Sequence, residues 1–271
     1  MMTTLSTVIR RGVMTVAMTA SALILSYCSA INIFPVSEDK QLGAQFDKEI
    51  KADPRTYPIL NNVAVRQYVQ DIIDKIKRSP DVQYESTFPY KVEVINDDKT
   101  VNAFCTPGGY IYVYTGLIKM LDNEASLAGV LGHEIAHAER RHSTSRMTKQ
   151  MGVSALMDIV LGKNNDSEMK LAANAFAGMG LLKNSRDDED EADEYSFKYL
   201  RSTQWYPGAI MYFFEKVKGR TGSSLDELFS THPLPESRLT NTKERLKKAN
   251  IPPPTEAQLN SRGYAEFKRK L

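Results

Sequence analysis

Cysteine is nearly missing from this sequence: its 271 residues hold two, Cys28 and Cys105. No disulfide framework can be built from that pair, and neither a zinc ribbon nor an iron–sulfur cluster would find enough ligands. An excess of charge of one sign is lacking too. Lys and Arg number 35 against 33 Asp and Glu, a formal net charge of +2. With no clustered basic excess, the chain does not read as a nucleic-acid binder. Internal repeats and low-complexity linkers are absent. What is left, 42% hydrophobic and 25% charged residues, is the composition of an ordinary globular protein with one substantial core.

Nor does any stretch stay apolar for the ~20 residues that a membrane-spanning helix needs. The nearest approach is 13–25, which follows Arg10 and Arg11 within an uncharged stretch over 12–37. A positive start and a short, Thr-containing apolar centre read as a secretory signal, with Cys28-Ser29-Ala30 offering small residues for cleavage after Ala30. A rival reading takes Leu25-Ser26-Tyr27-Cys28 as a lipoprotein signal with Cys28 as the lipidated residue, giving membrane attachment through the N-terminus. An uncleaved amphipathic anchor is the third. The expectation is an exported protein, in the bacterial periplasm or held to a membrane as a lipoprotein. Residues 1–30 would be the signal and 31–250 one continuous domain. Residues 251–271, which open near three consecutive prolines, would be a loosely attached tail.

Within the domain, Leu42, Phe46 and Ile50 recur at helical spacing and predict a helix over 38–50. Val65, Tyr68, Val69, Ile72, Ile73 and Ile76 predict a second over 63–76. Tyr90, Val92 and Val94 alternate with Lys91 and Glu93, which predicts a strand over 89–95. Tyr110–Tyr114, β-branched and aromatic throughout, predicts another. Helices are expected over 123–146 and 167–182, from a Ser185 N-cap to about 201, and from Pro207 onward, with a break at 232–235. The reading is α+β, mostly helical, with a small sheet.

The chemistry is concentrated in His133-Glu134-Ile135-Ala136-His137. On a helix, positions i and i+4 share a face, so both imidazoles can reach one metal ion, and Glu134 lies beside them, near enough to meet a water on that metal. The helical context is supplied by the apolar stripe Leu127, Leu131, Ile135 and Ala138, with no proline from 123 to 151. A catalytic zinc takes three protein ligands and keeps a position open for water. His142, five residues past His137, falls about 140° round a continuous helix and is read as structural. The remaining donors are carboxylates. Glu189 and Asp193 share one face of the acidic helix over 187–194, so that one could ligate while the other orients a ligand imidazole.

These residues resemble a known family. Gly132-His133-Glu134-Ile135-Ala136-His137 with Arg141-His142, then Ser185-Arg186-x-x-Glu189-x-x-Ala192-Asp193, is similar to the gluzincin peptidases of the CAAX prenyl protease and HtpX type, most of all to bacterial periplasmic, BepA-like members. Asn102-Ala103-Phe104 with Pro107-Gly108-Gly109-Tyr110-Ile111-Tyr112-Val113 agrees, as does His232-Pro233 followed by Arg238. The resemblance implies a mostly helical, zincin-like fold with a small sheet whose edge strand borders the active-site helix. It implies one Zn2+ per chain, with Glu189 as third ligand beside His133 and His137, and Asp193 as that shell's supporting carboxylate. His232 and Arg238 would line the active site and steady the oxyanion.

The expected reaction is zinc-dependent hydrolysis of peptide bonds, with Glu134 moving the proton. Tyr110, Ile111, Tyr112 and Val113 are the candidate substrate edge strand, pairing with an extended polypeptide through its main chain. Because such pairing reads backbone, the expected partners are unfolded or misassembled envelope proteins, and the role is envelope protein quality control. One alternative is a zinc-bearing, latent or non-proteolytic chaperone or adaptor, with the segment over 147–182 as its plug or as a membrane-contacting flap. Another is a zinc hydrolase of small peptides or non-peptide substrates.

Overall fold

The computed structural model describes residue 32 and residues 34–149, 184–233 and 236–271. The expected signal over 1–30 and helix over 167–182 lie outside the described residues, as does all but the start of the 147–182 segment. The α+β reading holds: helices surround a three-stranded sheet.

Helix α1 spans Val36–Ala52 and α2 spans Val63–Ile76. The second starts where Asn62 accepts a hydrogen bond from the Val65 amide, and it buries Val65, Val69, Ile72, Ile73 and Ile76. At about 1.5–3 kcal/mol for each fully buried aliphatic side chain, that face is what holds the helix. Three strands follow: β1 (Lys91–Ile95), β2 (Ala103–Thr106) and β3 (Tyr110–Tyr114). The tight β2–β3 connection rests on Gly108 and Gly109, at φ +74° and +82°, backbone that a Cβ would strain.

Strand order is β1-β3-β2, with β1 parallel and β2 antiparallel to β3. The expectation of a free edge at Tyr110, Ile111, Tyr112 and Val113 is therefore overturned. β3 is the central strand and is paired on both sides, Ile111 lying opposite Val92 of β1 and Cys105 of β2. All five of its residues are buried. Ile111 and Val113 enter the main core, while Tyr110, Tyr112 and Tyr114 pack with Ile95 and Phe104 on the other face. A run that is apolar or aromatic at every position is the mark of a strand covered on both faces. The outer strand that borders the next long helix is β2.

After the short α3 (Thr115–Met120) comes α4 (Glu124–Glu139), capped by Asn123 Oδ1 on the Ser126 amide at 2.8 Å. All 16 of its residues are buried. The stripe seen in the sequence is thus one side of a helix enclosed all round. Two glycines allow this: a Cβ at Gly129 would stand 2.7 Å from the Ile210 nitrogen, and one at Gly132 would stand 2.8 Å from Ser196 Oγ. The helix does not run on to 146. Arg141 takes φ +56°, and the chain turns before resuming helix over 142–149. A left-handed residue just past the last turn is a common helix ending. Here it is held by the Arg141 guanidinium, which donates to Asp39 and to the Phe34 carbonyl.

From residue 184 on, the described residues are helical: α5 (Arg186–Leu200), α6 (Ile210–Val217), α7 (Ser223–Thr231), α8 (Ser237–Lys248), α9 (Glu256–Leu259) and α10 (Ser261–Lys268). The loosely attached tail is a second correction. Tyr264 is fully buried and its hydroxyl donates to the Ile118 carbonyl at 2.8 Å. Phe267 stacks on Tyr68 with ring centroids 3.7 Å apart. Asn260 donates to Glu124 Oε2 at 2.8 Å, on a carboxylate that also accepts from Trp205 Nε1 at 2.7 Å. Prolines stop a helix without saying where the chain goes next, and two aromatics further on, Tyr264 and Phe267, then dock it. Tyr264→Ala is expected to lower unfolding free energy by about 3–5 kcal/mol, the range for emptying a buried aromatic site. Urea denaturation measures this, and a loss below about 1 kcal/mol would restore the loose tail.

Candidate metal centre

Helix α4 carries His133 and His137 one turn apart, and their Nε2 atoms lie 2.9 Å from each other. Helix α5 packs closely on α4 and brings its own pair of side chains. Its start is fixed by a capping box in which Asp188 N donates to Ser185 Oγ at 3.1 Å and Ser185 N to Asp188 Oδ2 at 3.0 Å. That register turns Glu189 and Asp193 inward, where both are buried. Glu189 Oε2 lies 3.4 Å from His133 Nε2, and Oε1 lies 3.3 Å from His137 Nε2. Four equal bonds of 2.0–2.1 Å in a tetrahedron hold their donors roughly 3.3–3.4 Å apart. Both histidine–carboxylate spacings match that edge and the histidine–histidine spacing is shorter, so the three side chains could hold a metal ion, with His232, the fourth histidine of the chain, also within 4.8 Å of the set.

The outer nitrogens of both imidazoles are held. Asp193 Oδ1 lies 2.9 Å from His133 Nδ1, so Nδ1–H donates to the carboxylate and Nε2 keeps its lone pair for a metal. On the other ring, His137 Nδ1 meets His142 Nδ1 at 2.7 Å, and His142 Nε2 meets Glu191 Oε2 at 2.8 Å. With His137 Nδ1 donating, His142 accepts on one nitrogen and donates to Glu191 from the other, which again frees His137 Nε2. The expectation that His142 faces elsewhere fails because the turn at Arg141 breaks the helix between the two histidines and re-aims the ring. Neither His142 nor Glu191 could be placed from spacing on an unbroken helix.

Arg238 of α8 braces both carboxylates. Its Nε and Nη2 donate to Asp193 at 2.7 and 2.6 Å, and Nη1 donates to Glu189 Oε2 at 2.5 Å. Burial alone would raise the Glu189 carboxyl, but the charges of His232, Arg238 and His133 outweigh it and hold it well below the usual range. Burial lowers both imidazoles as well. At His137 it prevails, with His133 adding to it, and that ring stays neutral. At His133 the carboxylates of Glu189 and Asp193 win and push it up to about 9. A metal taking up this site displaces that proton.

Glu134 stands apart from the donor set. It is buried, burial raises its carboxyl above the ordinary value, and its Oε2 has no hydrogen-bond partner. On its far side stands His232, with Nε2 at 3.8 Å from Glu134 Oε1 and Nδ1 at 3.0 Å from Glu189 Oε1. Beside His133 and Glu134 opens a small cavity walled by Ala103, Val130, Ile210, Phe213 and Leu228. No residue pattern points to Asn184, whose Nδ2 donates to Glu189 Oε1 at 2.6 Å. Asn102, at the entry to β2, is buried with both amide atoms unpartnered. Cys105 on β2 is buried, and burial together with the Glu134 charge pushes its thiol well above the usual value. It stays protonated and lies outside the donor set.

A His-Glu-x-x-His helix, a third carboxylate donor from a second helix and a free buried Glu between them define a metallopeptidase. Comparison with known proteins agrees, since the profile of Peptidase family M48 matches residues 63–246. The chain belongs to that family. It is 28% identical over 229 residues to the beta-barrel assembly-enhancing protease of Escherichia coli (strain K12), an alignment covering 80% of this chain and 45% of that protein. It is 29% identical over 160 residues to metalloprotease YcaL of the same organism, covering 58% and 61%. To the mitochondrial metalloendopeptidase OMA1 of Arabidopsis thaliana it is 34% identical over 163 residues, covering 60% and 32%. The chain spans about half the length of the curated relatives it matches first. Among the described residues no helix is long and apolar enough to cross a membrane.

Proposed function

We propose that this chain is a zinc-dependent endopeptidase that hydrolyses unfolded or misassembled exported polypeptides. The observation that carries the reading is the convergence of His133, His137 and Glu189 at donor spacing beside a buried, unpartnered Glu134. Zn2+ held by those three side chains would polarise the scissile carbonyl and acidify a water. Glu134 accepts that water's proton and returns it to the leaving amine, a task suited to a carboxyl whose affinity for protons burial has raised. Asp193 and His142 keep the two imidazoles aimed. Arg238 is committed to Asp193 and Glu189, so in this mechanism the oxyanion donor is His232 and Arg238 acts by holding the carboxylates in place.

The substrate lies along β2, the outer strand beside α4, as an added strand read through its backbone. Its side chain next to the scissile bond enters the apolar cavity beside Glu134. The signal-like start of the sequence and the name of the beta-barrel assembly-enhancing relatives support an envelope setting and a quality-control role. The test counts zinc in the purified protein and follows hydrolysis of unfolded casein with and without chelator. One zinc per chain and chelator-sensitive hydrolysis are expected, and a metal-free or inert protein rejects the reading.

A second reading has its own observation: His232 falls inside the donor set. Four protein donors would complete a tetrahedron and leave no position for water, which is a latent site. His232→Ala separates the two. As oxyanion donor its loss lowers kcat about 10²-fold, in the range measured for single donors elsewhere, with the zinc count unchanged. A rise in kcat would make it a latch.

A further inference from the structure

Two arginines stand near this centre, and they differ. Arg238 has its nitrogens on carboxylates at 2.5–2.7 Å. Arg146, on the helical stretch after the Arg141 turn, has nothing comparable. Its side chain is 13% exposed. Nη1 reaches Asp188 Oδ2 at 3.4 Å, Nη2 reaches Ser143 Oγ at 3.5 Å, and Nε is buried without a partner. Asp188 Oδ2 is already committed to the Ser185 amide at 3.0 Å. A guanidinium carries five donors in a rigid fork, and burying it half-satisfied is costly unless something else supplies acceptors.

Its surroundings say where those acceptors come from. Asp188, which Arg146 reaches, and Glu189 beside it at the start of α5 act on Arg146 through their charges, and the neutral Cys105 side chain of β2 lies near enough to feel its charge. It thus faces the gap between β2, which carries Cys105, and the start of α5, which carries the third metal donor. Ala103, two residues from Cys105 on the same strand, walls the cavity beside Glu134. A peptide laid along β2 would rise about 3.3 Å per residue and would run from the cavity at Ala103 past Cys105, the side on which Arg146 lies.

We propose that Arg146 is a substrate-recognition residue that binds a carboxylate of the polypeptide lying along β2. The matching ligand is planar and anionic because the open fork is bidentate and permanently charged. An acidic side chain and the free C-terminus offer that same chemistry. The proposal rests on the peptidase reading for the path of the substrate, but binding can be measured without turnover.

The probe is a fluorescein-labelled 12-residue peptide of Ala, Ser and Val with one central Glu, beside a twin with Gln. Each is made as free acid and as C-terminal amide. Binding to the zinc-loaded Glu134→Gln protein is followed by fluorescence anisotropy. The Glu peptide, or the free acid if the chain end is what is read, is expected to bind about 10-fold tighter than its neutral twin. That preference should vanish in Glu134→Gln/Arg146→Gln and survive in part in Glu134→Gln/Arg146→Lys, because a merely structural arginine would weaken all four peptides alike. Equal binding of charged and neutral twins, no binding at all, or a preference that persists in Arg146→Gln overturns the proposal. If the preference holds while the wild-type protein cleaves no peptide, the peptidase reading falls and the carboxylate site stands.

Discussion

Glu134→Gln is expected to abolish hydrolysis of unfolded casein, by about 10²–10⁴-fold in kcat, while zinc stays at one per chain. The size of the fall is that of removing a positioned general base and acid. Retention of the metal follows from geometry, since Glu134 lies outside the donor cluster formed by His133, His137, Glu189 and His232. The fold should not suffer. Glu134 Oε2 has no partner to lose, and burial already disfavours its charge, so an amide of the same shape is tolerated. A variant that has lost its zinc would mean that Glu134 is a ligand. One that keeps more than a tenth of the wild-type rate would end the proposed mechanism.

Arg238→Met is expected to cost as much stability as emptying the Tyr264 site. This substitution keeps the packing volume against the Phe214 ring, over which the guanidinium sits at 4.5 Å, and removes the cation shared by Glu189 and Asp193. Two buried carboxylates then lose the cation that they share, a situation that costs about 3–5 kcal/mol. The pH dependence has a defined sign. Glu189 and Asp193 resist burial chiefly through their cationic neighbours and sit below their ordinary values. Depressed carboxyls contribute stability above their unfolded values and lose it as pH falls through the folded ones. The penalty of Arg238→Met is therefore full above roughly pH 5 and shrinks in acid as both groups take up protons. Urea unfolding of wild type and variant in chelator, at neutral and acid pH, reads both numbers. A difference under about 1 kcal/mol at pH 7 would show that Arg238 is not the brace.

Much of the centre could be read from the residue pattern, for a physical reason. His133, Glu134 and His137 are related by helical spacing, as are Glu189 and Asp193, and local periodicity is what a sequence displays. The helices over 38–50 and 63–76 followed from the same periodicity. What failed depended on contacts between distant segments or on a single backbone torsion. Strand order is a property of pairing, so nothing in Tyr110–Tyr114 itself placed it between β1 and β2, although its lack of polar alternation pointed to two covered faces. His142 was misjudged because one left-handed residue, Arg141, changes the direction of everything after it. The 251–271 segment looked loose because its prolines are visible, whereas the pockets for Tyr264 and Phe267 are built by α2 and α3.

The closeness allowed by Gly129 and Gly132 has a consequence for how such a centre can be tuned. Neither glycine supplies a side chain to the site, yet each sets a gap: Gly132, next to His133, the one between α4 and the helix bearing Glu189, Gly129 the one between α4 and the Ile210 wall of the cavity. They work as a pair of shims of zero thickness. A methyl inserted at 132 would meet Ser196 Oγ on the helix bearing Glu189 and is expected to thicken the first gap. A methyl at 129 moves the cavity wall outward, toward bulkier side chains. Two positions that lend no side chain to the site thus bear on both of its walls.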